Sequence, residues 1–239
     1  MLPSTGITDP MVSPDASKND PPVRSRGPSP AKTARTREAI LAAALDLFLD
    51  RGFDGVRMAD VAAGAGIAKG TLYLHFADKA ALFEGVLGAV IAGPLAGLTE
   101  GAPAPGERVR DFLARLAGPV LRDLEGTRRA AVLRLVIAEG GRFPVLAETY
   151  HRLVVGPGAA AFRRLGRLAL ERGELRSDAL ERFPQLLAGP AVLAVLWNGL
   201  FAAEPRIEPE AIFLAWLDLV FGPAPPPEAG ALPPEARRD

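Results

Sequence analysis

The sequence predicts an all-α protein: a small helix-turn-helix head followed by a larger helical body. Three observations carry this. Apolar residues recur at helical spacing from Ile40 to Val220, and no stretch shows the alternation of a strand. The two ends, 1–33 and 222–239, are rich in Pro and poor in large apolar groups, so they read as disordered tails. Residues 57–79, RMADVAAGAGIAKGTLYLHFADK, read as two short helices about a Gly-containing turn.

Taken in order, the first helix is expected from near Thr36, with Glu38 in its first turn. Its stripe is Ile40, Leu41, Ala44, Leu47 and Phe48, and Gly52 stops it before Phe53 tucks back into a small core. Between Arg24 and Arg37 stand five cations (Arg24, Arg26, Lys32, Arg35, Arg37) and no acid. Such a run is a solvated tail by itself and an electrostatic foot for DNA when it adjoins a helix-turn-helix.

In the central stretch, Met58, Val61 and Ala62 give one helix its apolar face, and the small Ala62 and Ala63 admit a close neighbour. Gly64 and Gly66 flank the turn. Ile67, Leu72 and Phe76 carry the stripe onward, which leaves Lys69, Gly70, Thr71, Tyr73 and His75 facing outward. A cation, a bare backbone, a hydroxyl, a phenol and an imidazole suit a groove lined by phosphates.

The run IAKGTLYLHFADKAALF resembles the recognition-helix signature of the TetR family of bacterial transcriptional repressors. The preceding TREAILAAALDLFLDRGFDGVRMADVAAGAG is similar to that family's first two helices, so the resemblance covers about 34–94. It implies a homodimeric, cytoplasmic regulator that binds a double-stranded DNA operator. It implies that Thr71, Tyr73, His75 and Lys79 hold phosphates, while Lys69 and Gly70 lie nearest the base edges. The family usually has Thr or Ser at the two positions before its second helix; here stand Val56 and Arg57. The hydroxyl cap is absent, and Arg57 offers either a charged phosphate contact or a plain surface arginine.

Asp78 caps a fourth helix running to about Ile91, where Gly93 and Pro94 are expected to interrupt it and 97–107 to form a loop. The domain boundary falls near 94, giving a head of 34–94 and a regulatory and dimerisation body of 95–221. Body helices are expected at 109–124, bent or broken near Gly118-Pro119, then at 128–139, 144–155, 158–172, 183–203 and 209–221. The last two are more apolar than one buried stripe requires, with Trp197, Phe201, Phe213 and Trp216. The resemblance implies that they form the dimer interface.

Other chemistry is sparse. Net charge is zero, there is no Cys, and His75 and His151 are the only histidines, without metal-ligand spacing. No catalytic or phosphate-loop motif appears, so neither an enzyme nor a cofactor or metal is expected. No signal peptide is evident, and 186–203, the nearest candidate for a membrane span, carries Pro190 and Asn198. Large apolar groups beside sparse polar ones mark a ligand pocket: Phe112, Leu116, Leu135, Phe143, Tyr150, His151, Phe162, Trp197 and Asn198. With few charges among them, the expected effector is a small hydrophobic molecule, neutral or weakly polar.

Overall fold

The computed structural model describes residues 29–124, 126 and 128–222, and no strand occurs among them. The expectations for the tails beyond these residues lie outside the described chain. The helices are α1 (Pro30–Gly55), α2 (Met58–Gly64), α3 (Lys69–His75), α4 (Lys79–Leu87), α5 (Gly93–Glu100) and α6 (Val109–Arg122). There follow α7 (Arg129–Glu139), α8 (Pro144–Tyr150), α9 (Gly156–Glu171), α10 (Ala179–Arg182), α11 (Gly189–Leu200) and α12 (Pro209–Phe221).

The first helix begins at Pro30, not near Thr36. Ser29 is its N-cap, the side chain accepting from Lys32 N at 3.3 Å, and Pro30 takes the first turn, where a missing N–H costs nothing. The Ser-Pro pair that reads as tail is thus a helix start, and Lys32, Arg35 and Arg37 ride on a helix. The first turn holds no acid. Gly52 ends the regular helix with φ 68° and ψ 175°, a conformation essentially reserved for Gly.

Three connections overturn expectation. α4 does not stop near Ile91: a π-turn at Gly88–Ala92 carries it into α5, making one helix over Lys79–Glu100. Residue 94 has no N–H to give the Val90 carbonyl, and Arg129 Nε donates to that oxygen instead, at 3.1 Å. The same device recurs at His151–Val155, which joins α8 to α9 across Gly156-Pro157. Both π-turns close on a Gly whose Cβ would press to 3.2 Å of the carbonyl its own N–H bonds. Pro119 leaves α6 unbroken through Arg122. In contrast, 183–203 is not one helix. Phe183 leaves the helical region at ψ 68°, a 3₁₀ turn (Pro184–Leu187) follows, and α11 spans only Gly189–Leu200. The last helix lies where expected.

Packing divides the chain into two clusters. The head cluster takes Ile40, Phe48, Val61, Leu72, Leu82 and Phe83, each essentially inaccessible, together with Val132, Val136 and Leu146 from α7 and α8. At about 1.5–3 kcal/mol per buried side chain, this is the main term holding three short helices in place. The body cluster joins α6, α9 and α12 around Phe112, Leu113, Leu165, Phe213 and Leu217. Leu95 packs against both clusters. Lys79–Glu100 is long and apolar enough to cross a membrane by composition, unlike 186–203, but it buries Leu82, Phe83, Val86, Leu87, Ile91 and Leu98 within the protein.

Candidate nucleic-acid interface and body cavity

The turn between α2 and α3 is closed by its own backbone. Ile67 N donates to Ala62 O at 3.0 Å and Gly66 N to Ala63 O at 3.1 Å, the Schellman pattern, with Gly66 at φ 66°. Gly66 therefore supplies the left-handed residue. Gly64 serves a different end: a Cβ there would sit 3.3 Å from Ala43 Cβ on α1.

Leu72 anchors α3 in the core and turns Lys69, Gly70 and Tyr73 to solvent. Lys69 Nζ lies 5.9 Å from the Tyr73 ring centre. A Cβ on Gly70 would meet nothing within 4 Å, so the fold leaves this spot bare and does not demand Gly there. Thr71 and His75 are half-buried at the flanks. Leu74, which pattern reading left unassigned, is 87% exposed beside them. One turn from Gly70, it shares the outward face, and an apolar side chain carries no sequence signal for a DNA-facing position.

Arg57 is the N-cap of α2, exposed and making no side-chain cap bond. Arg37 lies over the Phe76 ring at 5.1 Å, so a basic residue of α1 stands beside the recognition segment. Lys79 is placed differently from the expectation of a phosphate clamp. Its Nζ donates to Phe53 O at 2.8 Å and Asp54 O at 3.2 Å, and sits over the Phe53 ring at 4.6 Å. It caps the end of α1 and keeps one donor of three.

The body holds a cavity of about 720 Å³ that is open to the surface on one side. Of the predicted lining residues, Tyr150 and Phe162 are there. The others are not. Phe112 is fully buried in the body cluster, and Leu116 packs on that cluster. Leu135 and Phe143 pack toward the head, Phe143 at 5.5 Å from Phe53. His151, one helical step beyond Tyr150, is exposed. Trp197 Nε1 donates to Pro205 O, and Asn198 pairs reciprocally with the Ile207 backbone, bonds that steady the loop before α12. The actual wall is mostly aliphatic, drawn from both π-turns, α5, α6, α7, α9, α11 and the 3₁₀ turn before it, and its polar side chains are Thr99, Arg129, Tyr150 and Gln185. Burial raises the Tyr150 phenol's pKa, so it stays a neutral donor.

A helix-turn-helix whose outward face carries Lys69 and the bare backbone of Gly70, with Arg37 and Arg57 on the neighbouring elements, set on a helical body, defines a DNA-binding transcriptional regulator. Two family models match, bacterial regulatory proteins of the TetR family over residues 40–86 and the tetracycline repressor-like C-terminal domain over 103–208. The chain is 29% identical over 167 residues to YdeS, an HTH-type transcriptional regulator of Bacillus subtilis, covering 69% of this chain and 80% of the relative. It is 30% identical over 158 residues to the HTH-type regulator Mb1581 of Mycobacterium bovis, covering 66% and 73%. Among solved structures, the flavonoid-responsive regulator FrrA is 27% identical with TM-score 0.54, covering 78% of this chain and 95% of that one. The chain belongs to the TetR family.

Proposed function

We propose that the protein is a homodimeric, cytoplasmic repressor that holds a pseudo-palindromic operator and releases it when a small hydrophobic effector fills the body cavity. The observation that carries the reading is a single chain with both a bare, cationic recognition face on α3 and a large aliphatic cavity. Lys69 donates to guanine acceptors in the major groove, and Gly70 lets the backbone come close. Leu74 offers an apolar contact for a thymine methyl. Tyr73, Thr71, His75, Arg57 and the remaining Lys79 donor take phosphates.

Dimerisation is supported by what the monomer leaves uncovered. Leu193 and Leu200 of α11, Phe201, Leu219 of α12, and Phe183 and Leu186 before α11 are all exposed. These lie in 183–203 and 209–221, and a two-fold contact between them would bury this surface and set two recognition helices about 34 Å apart or a multiple of that. Leu193 also lines the cavity, so an effector would touch a residue of the interface helix. FrrA's name describes a response to flavonoids, which supports a small-molecule effector for a relative of this fold.

The test has two halves. Selection from a random DNA pool should return an inverted repeat. A thermal-shift screen of apolar compounds should yield hits that raise Tm and release that DNA, since only a ligand that prefers the DNA-incompetent state can do both. A pool without symmetry overturns the dimeric reading. A screen without such hits leaves a regulator of the same fold with no small ligand.

A further inference from the structure

Arg129 stands apart from the other groups on the cavity wall. It is the first residue of α7, half-buried, and lines an otherwise aliphatic space. Its Nε donates to Val90 O at 3.1 Å and its Nη1 to Val120 O at 3.2 Å, both backbone carbonyls. No carboxylate of a described residue pairs with it. Other arginines of the body pair with acids, among them Arg110 with Asp218, Arg115 with Glu107 and Arg152 with Glu84; what sets Arg129 apart is that it is the one charged residue among the described residues of the cavity wall. A guanidinium has five N–H donors, so three of Arg129's remain after its two carbonyl bonds. A cation on an apolar wall, with no carboxylate among the described residues bonded to it, leaves donors for an anion that entered the cavity.

We infer that the effector is an amphiphilic monocarboxylate, whose apolar body fills the cavity and whose carboxylate is held by Arg129. This rests on the effector reading above and replaces the neutral ligand expected from the sequence. One guanidinium matches one negative charge, and the other polar side chains of the wall, Thr99, Tyr150 and Gln185, add donors without charge. The carboxylate accepts from Nη2 and the free Nη1 proton, so both carbonyl bonds can persist. The position also has a consequence for response. The guanidinium that receives the anion is the one that holds Val90 in the π-turn between head and body.

The experiment compares acids with their own methyl esters by isothermal titration into the full chain at neutral pH. The probes are laurate, biphenyl-4-carboxylate and lithocholate, each with its ester. Wild type should bind at least one acid about tenfold or more tightly than its ester, the scale of one charge-assisted hydrogen bond. Arg129→Gln, which keeps an N–H for Val90, should bring acid and ester to within about threefold by weakening the acid alone, while Arg129→Lys should retain part of the preference. Leu196→Trp, which fills the cavity, should weaken both. Equal binding of acid and ester by wild type overturns the inference and leaves the effector reading standing. A preference that survives in folded Arg129→Gln overturns it as well. If neither acids nor esters bind, this inference falls, and the effector reading then rests on the thermal-shift screen. The wild-type comparison needs no variant, so a failure of Arg129→Gln to fold does not rescue the proposal.

Discussion

The head and the body spend their apolar residues in opposite ways. In the head, Phe48, Phe53 and Phe83 interlock at 5.5–5.8 Å between ring centres, Phe143 reaches in from the body, and Lys79 closes the edge. Neighbouring aromatic pairs add about 0.5–1.5 kcal/mol each beyond burial. The body has more large aliphatic groups than the head, yet it leaves a drug-sized hole among them and an uncovered face on α11 and α12. A head that presents one face to DNA gains from complete filling. Under the proposed function the body admits a ligand and a partner, and incomplete filling is useful there.

This contrast can be broken most forcefully at the uncovered face. Leu219 is 81% exposed, so Leu219→Glu should fold normally. It should yield monomers in sedimentation and lower operator affinity by about a hundredfold or more through lost avidity. A dimer with native affinity would refute the interface.

The joint between the regions comes next. Glu139, at the end of α7, accepts from Phe53 N at 2.9 Å. A Cβ on Gly52 would fall 2.3 Å from Glu139 Oε1, and Gly52 already holds a Gly-only conformation. Gly52→Ala should cost about 3 kcal/mol or more, from backbone strain and a weakened charged hydrogen bond. A Tm within two degrees or so of wild type, where about 1 kcal/mol is expected to move Tm by about 2–4 °C, would contradict it.

Within the head, three cations should separate by role. Lys69→Ala should cost about 1–3 kcal/mol of specific binding and relax the base preference. Arg57→Ala should weaken all sequences alike and reduce the salt slope by about 1. Lys79→Ala should chiefly lower Tm, by loss of its two carbonyl bonds, with the smallest change in salt slope. A steep salt effect from Lys79 and none from Arg57 would reverse the assignment.

The smallest effect is a pH dependence at the head–body seam. Arg152 holds both oxygens of Glu84, at 2.8 and 2.9 Å, and this hydrogen bonding lowers the Glu84 pKa below its ordinary 4.5. The stabilisation is present above 4.5 and is lost as pH falls through the lowered value. Because the pair is exposed, Glu84→Gln should cost at most about 1 kcal/mol at neutral pH and nothing at low pH. An equal cost at both would show that charge is not the cause.

What was legible beforehand follows the same division. The helix-turn-helix turn, the stripe of α1 and the outward set on α3 are local, fixed by residues within a few turns of each other. Ser29-Pro30 was missed because a cap and a tail share composition. Pro94 and Pro157 misled because the rescue of Val90 comes from Arg129, 39 residues away. The cavity was least legible, since it is made of side chains that fail to meet. Tyr150 lines it and His151 does not, a difference of one rotation step along a helix whose register depends on packing elsewhere.

The paired π-turns also bear on mechanics. A helix with every backbone bond in place bends as one stiff rod. In Lys79–Glu100 the rod is spliced at Gly88–Ala92, and the splice is held from outside by a side chain of another helix. Its bending stiffness is therefore a property of the contact with α7 and not of its own backbone. Amides on either side of the splice should exchange with solvent at different rates, and Arg129→Ala, which removes the donor to Val90, should speed exchange in 88–92 while leaving 79–87 protected.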